Sequence, residues 1–134
     1  MTDRHHPAEA GALEASRALL QAAFNAGDLD TLGRLVTDDV IWLAAGQPPW
    51  VGRSEVLVRL GGFFERFDYR FELETSGIDS DGRRAVERSN FVSHVTTGTD
   101  RVGPPHSGSV VLVWVRRPDW RVAAYLDIGG TLFT

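Results

Sequence analysis

The stretch Asn25–Arg53, NAGDLDTLGRLVTDDVIWLAAGQPPWVGR, decides the fold, because it joins a helix stop, a short amphipathic helix, a break, an apolar strand and a proline-rich turn. Gly27 is placed to end the first helix in a left-handed conformation, and Asp28 is a good N-cap for the next one. Leu29, Leu32, Leu35 and Val36 form a helical stripe. That period stops at Asp38 and Asp39, and VIWLAA reads as a buried strand closed by Gly46, Pro48 and Pro49.

Upstream, Ala8 to Ala26 reads as a helix with Leu13, Leu20 and Phe24 on one face. The second helix runs from Asp28 to about Val36 and the first strand from about Asp39 to Ala45. Downstream, Arg53 to Phe67 carries Val56, Leu57, Leu60, Phe63, Phe64 and Phe67 at helical spacing. Gly61 and Gly62 each cost that helix about 1 kcal/mol against alanine, so the pair predicts close backbone packing or a bend. Asp68 to Ile78 alternates, with Tyr69, Phe71 and Leu73 on one side. A turn at Asp79–Gly82 leads into a strand over Arg84–Thr97, and glycines and prolines from Gly98 to Pro105 mark a loop. Ser107 to Arg117 is the next strand, whose run VVLVWV lacks alternation and predicts burial on both faces. Pro118-Asp119 turns the chain into a last strand, Trp120 to Ile128. Three helices followed by mostly antiparallel strands make an α+β layer arrangement.

A chain of 134 residues suits one domain that needs no staples. It contains no cysteine, which removes disulfides, thiolate nucleophiles and cysteine metal sites and fits a reducing cytoplasm. The opening residues lack the apolar core of a signal peptide, and no apolar run is long enough to span a bilayer. The expectation is a flexible tail over residues 1–8, a cytoplasmic location and no membrane partner. The net charge of −4 argues against nucleic acid. Every basic side chain is arginine, which excludes Schiff-base catalysis by a side-chain amine. No phosphate-loop glycine pattern occurs, so no nucleotide cofactor is expected. His5 and His6 fall in the tail, and His94 and His106 lack carboxylates at ligand spacing, so no metal is expected either.

The order F-N-A-G-D-L-D, then T-D-D-V, then G-Q-P-P-x-x-G-R, with the closing segment W-R-V-A-A-Y-L-D, resembles the nuclear-transport-factor-2-like superfamily, in its SnoaL-like and ketosteroid-isomerase-like branch. The resemblance covers nearly all of residues 10–128. It implies a single SnoaL-like domain over residues 1–134: a cone-shaped barrel in which a strongly curved, mostly antiparallel sheet wraps around three N-terminal helices. It further implies a deep apolar cavity open at one end, and a homodimer formed through the convex face. The fold hosts isomerases, cyclases, epoxide hydrolases, dehydratases and proteins with no chemistry, so the site must carry the function.

Alignment with ketosteroid isomerases places their helix tyrosine at Leu20, their base at Ala44 and their oxyanion-stabilising acid near Val111, so none of that constellation remains. SnoaL-like cyclases imply instead an aspartate on the last strand with a histidine on a neighbouring one. Asp127 is the candidate base, since a carboxylate desolvated in an apolar cone has a raised pKa. His94 is its candidate partner and Tyr125 a hydrogen-bond donor to a developing enolate oxygen. Asp127 equally suits a turn cap ahead of Gly129-Gly130. A gapless count turns Ala124, Leu126 and Ile128 inward, whereas one extra hairpin residue or a bulge turns Tyr125 and Asp127 inward.

Between Arg84 and Val95 the same alternation puts Val86, Arg88, Asn90, Val92 and His94 on one face, and Glu87, Ser89, Phe91 and Ser93 on the other. Arg88, Asn90 and His94 would make a polar wall for a ligand oxygen, while Glu87 suits a cross-strand pair with Arg121 or Arg116. Trp42, Trp50, Phe63, Phe64 and Phe67 should crowd one apolar volume that favours flat ligands. Trp114 belongs either to that volume or to the convex face. The expected function is cofactor-free isomerisation, cyclisation or dehydration of an apolar, polycyclic or polyketide-like ketone. The alternative is a non-catalytic ligand-binding or dimerisation module.

Overall fold

The computed structural model describes residues 7–44, 46–97, 100–101 and 106–128. Helix α1 spans Pro7–Ala26, taking in two residues expected of the tail. Gly27 ends it at φ 65°. Its N–H donates to the Phe24 carbonyl (3.2 Å) and that of Asp28 to Ala23 (2.9 Å), the paired bonds of a Schellman stop. The Asp28 side chain then accepts from the Thr31 N–H, capping α2 (Leu29–Leu35).

Strand β1 (Val36–Leu43) follows α2 without a linker. It begins three residues before the expected start, because Val36 is buried and pairs with Val122. Burial and strand pairing outweigh its place in the leucine stripe. After the short β2 (Trp50–Val51) comes α3 (Arg53–Arg66), as expected to within one residue. The glycine pair has a packing origin on one side only: a Cβ at Gly61 would lie 3.1 Å from Leu29 Cδ1, whereas one at Gly62 would meet nothing within 4 Å.

The remaining strands are β3 (Asp68–Ser80), β4 (Arg84–Thr97), β5 (Asp100–Arg101), β6 (His106–Arg116) and β7 (Trp120–Asp127). They form one curved, unclosed sheet in the order β2-β1-β7-β6-β4-β3, with β5 paired to β4. Among the described residues only the β1–β7 pairing is parallel. The helices pack against its inner face, where Leu20, Phe24, Leu32, Val56, Phe71, Leu112 and Val122 share one core. The apolar run on β6 alternates as far as Trp114, with Val110, Leu112 and Trp114 buried and Val111 and Val113 half-buried on the outer face, and the alternation ends at Val115, which is buried next to Trp114.

Helix α1 also satisfies the edge strand β3. Asn25 accepts from the Phe71 N–H (2.6 Å) and donates to the Phe71 carbonyl (3.1 Å), and Gln21 accepts from the Leu73 N–H (2.8 Å). These bonds occupy backbone groups that an open edge would expose. A second tie is the buried Glu87 of β4, which accepts from Arg17 Nε of α1 (2.9 Å), from Trp114 Nε1 (3.0 Å) and from the Ser89 hydroxyl.

Candidate active site

The parallel strands β1 and β7 end side by side, and a pocket opens at those ends between the sheet, α1 and α3. Its aromatic wall contains three nearly parallel rings. The Trp42 and Tyr125 centroids lie 4.0 Å apart at 8°, and Trp50 stacks beyond Trp42 at 6.5 Å and 8°. Phe63, Phe64 and Leu60 of α3 and Phe24 of α1 close the sides, with Phe63 edge-on to Tyr69 at 5.2 Å. The cavity holds about 100 Å³. A dry cavity of about 150 Å³ accommodates benzene, and drug-sized ligands fill roughly 300–1,000 Å³, so the pocket as it stands admits one ring at most.

Polar groups in this wall are few: Asp127 and Tyr125 of β7, Tyr69 of β3 and Gln47. A bulge brings the first two together. Val113 pairs with Ala124 but Trp114 with Val122, leaving Ala123 as an extra residue on β7. The extra residue reverses the parity of everything beyond it, so Tyr125 and Asp127 face the pocket and Leu126 does not. Burial pushes the Tyr69 phenol up to about 12, opposed by the Ser93 hydroxyl beside it and reinforced by the negative charge of Asp127. Burial likewise pushes Tyr125 well above the usual phenol value, with Tyr69 and Asp127 acting in the same direction. Both phenols therefore hold their protons through the neutral range and present O–H donors beside a carboxylate.

Of the residues singled out from sequence, Asp127, Tyr125, Trp42, Trp50, Phe63 and Phe64 line this pocket. The polar wall expected of β4 faces the other way. His94 pairs with Arg70 on the outer face, while its neighbours Ser93 and Val95 pair with Phe71 and Tyr69 on the inner one. It cannot relay a proton to Asp127 through the sheet. Arg88 lies over Gly77, its Nη2 2.7 Å from where a Cβ would stand, and Asn90 accepts from the Ser109 hydroxyl at 3.2 Å. Trp114 is fully buried on the inner face but binds Glu87 beneath α1 instead of lining the pocket. Phe67 is the C-cap residue of α3, packed on Phe63 and under the Arg66 guanidinium. Glu87 pairs with Arg17 rather than with Arg116 or Arg121.

The three isomerase-equivalent positions diverge: Leu20 is core, Ala44 lies on the pocket wall, and Val111 is turned outward. Sequence reasoning missed Tyr69, Phe24, Leu60, Phe91 and Gln47 as lining residues. Tyr69 had a usable signal, since it heads the apolar face of an alternating strand directly after the aromatic helix. His106 pairs through its backbone with Ser93, and His5 and His6 lie outside the described residues. No three described His, Asp or Glu residues are grouped to hold a metal ion.

A curved sheet on three helices, with an aromatic pocket where its parallel strands end, defines the cone-shaped fold of the nuclear-transport-factor-2-like proteins. The sequence profile of the SnoaL-like domain matches residues 16–125, and the chain belongs to that family. Solved structures agree in fold. A conserved protein from Planctomyces limnophilus superposes with a TM-score of 0.81 at 22% identity, over 92% of this chain and 99% of its own. A ketosteroid isomerase-like protein from Erwinia carotovora gives 0.78 at 22% identity, over 92% and 99% of the two chains. A protein provisionally assigned as a scytalone dehydratase, from Novosphingobium aromaticivorans, gives 0.79 at 16% identity, over 95% and 89%. No curated protein sequence matches the chain.

Proposed function

We propose that the pocket is a cofactor-free acid–base site acting on a small apolar ketone, in an isomerisation, aldol-type cyclisation or dehydration. The observation that carries this reading is that Asp127, Tyr125 and Tyr69 line one largely apolar cavity, close enough for the Asp127 charge to act on both phenols. Asp127 takes a proton from the carbon next to the carbonyl, and the C–H electron pair becomes the enolate. The enolate oxygen accepts hydrogen bonds from the phenols, whose own protons are held by burial. Asp127 then returns the proton to another carbon in isomerisation, or to a departing hydroxyl, which leaves as water, in dehydration. The stacked Trp50, Trp42 and Tyr125 rings favour a flat substrate. With about 100 Å³ enclosed, one ring sits inside, and a polycyclic or polyketide skeleton extends through the mouth.

A second reading, ligand binding without chemistry, draws on Ala44, which puts a methyl group on the wall where isomerases of this fold carry their base. Exchange of α-protons separates the two. In D2O, one-ring ketones such as 2-cyclohexenone should lose their α-proton NMR signals faster with the protein than without it, and Asp127→Asn should abolish the acceleration. A ketone that binds without accelerated exchange sinks the enzyme reading and leaves the binder.

In the same proposal two copies pair through the outer sheet face. Val86 and Val92 are each 43% exposed there, Val86 paired with Val113 and Val92 four residues further along from Arg88, the partner of Val111. Sedimentation should show a dimer that Val92→Glu dissociates; a monomeric wild type removes this part. A chain without cysteine suits a reducing compartment, and the cytoplasm is the location proposed.

A further inference from the structure

At the opposite ends of β1 and β7 from the pocket, six residues back along β7 and so roughly 20 Å away, Thr37, Asp38, Asp39, Arg53, Arg117 and Arg121 line a cleft of about 370 Å³. Polar atoms in its walls are left without protein partners. Thr37 is only 5% exposed, and its hydroxyl has no hydrogen-bond partner among the described residues. The Nε–H groups of Arg53 and Arg121 are buried and also unpartnered. Folding tolerates such groups at a cost, and three around one cleft imply something that satisfies them.

We infer that this cleft is a binding site for a phosphate group, separate from the aromatic pocket. Arg53 is partly engaged, since it pairs with Asp38 and donates to the Val36 carbonyl (3.0 Å). The guanidiniums of Arg117 and Arg121 form no ion pair with a described residue. Three arginines against two aspartates leave the cleft with a net charge of +1 in a chain whose total is −4. Two free guanidinium forks can each offer paired N–H donors to phosphate oxygens, and the Thr37 hydroxyl can donate a further bond. An adjoining groove shares Arg117 and adds Arg83, Arg84 and Arg116, so a second phosphate joined to the first would also meet positive charge.

The test is a titration of the full chain with inorganic phosphate and with pyrophosphate, followed by amide NMR at constant ionic strength, with chloride and acetate as controls. The expected result is saturable shifts at Thr37, Asp38 and Arg121, tighter for pyrophosphate. Arg121→Ala and Arg117→Ala should each weaken binding at least tenfold, and Arg121→Lys, which keeps the charge but not the fork, at least threefold. Amide dispersion monitors folding, and the exposed Arg117 carries the test if the Arg121 variants fail to fold. Non-saturating shifts, an equal response to acetate, or saturable binding that survives both alanine variants would each overturn the assignment.

Discussion

Replacing Arg17 with methionine should destabilise the fold far more than the loss of one surface ion pair. Arg17 is 12% exposed and Glu87 fully buried, so the substitution strands a carboxylate in the core with only the Trp114 and Ser89 donors. Breaking a buried pair on one side costs about 3–5 kcal/mol. With an unfolding entropy near 0.28 kcal/mol/K for this chain length, a loss of about 4 kcal/mol lowers Tm by roughly 14 °C. Adding Glu87→Gln removes the stranded charge while keeping an acceptor for Trp114, so the double variant should recover part of the loss. Urea unfolding at neutral pH reads both values. If Arg17→Met falls within about 0.5 kcal/mol of wild type, or the double variant is worse than the single one, the pair is not the tie between α1 and β4 described above.

The two glycines of α3 should respond differently. Gly62→Ala meets no neighbour and should gain about 0.5–1 kcal/mol of stability. At Gly61 the same change presses on Leu29, so the gain should shrink or reverse, and paired urea titrations will show whether it does. Alkali should weaken the fold through Tyr69. Below pH 10 the phenol is protonated whether the chain is folded or not, and the stability is intact. From about pH 10 the unfolded chain ionises ahead of the folded one, which removes about 2.3 kcal/mol by pH 12. Tyr69→Phe should flatten this part of the pH profile measured by urea unfolding between pH 9 and 12, with Tyr125 retaining the rest.

Most of the architecture was legible because local signals agreed with tertiary ones. Gly27 and Asp28 act as the sequence suggested, and the alternation of Tyr69, Phe71 and Leu73 survives intact. The start of β1 was misplaced because Val36 continues a helical stripe that only its pairing with Val122 interrupts. The site was legible in its aromatics, whose burial follows from helix and strand periodicity. Its polar members depended on one backbone event, the extra residue at Ala123, which no residue in WRVAAYLD announces. The outward turn of Arg88, Asn90 and His94 follows from the inward turn of Glu87. That in turn depends on Arg17, seventy positions away in sequence, a pairing no local pattern contains.

The central claim is that Tyr125 and Tyr69 receive a developing oxyanion beside the Asp127 carboxylate. Binding of 4-nitrophenolate, a one-ring enolate mimic, tests it directly through quenching of tryptophan fluorescence. Asp127→Asn should tighten binding by removing a like charge, and Tyr125→Phe should weaken it about tenfold by removing a donor. An affinity unchanged in both variants, or no binding to the wild type, would contradict the account.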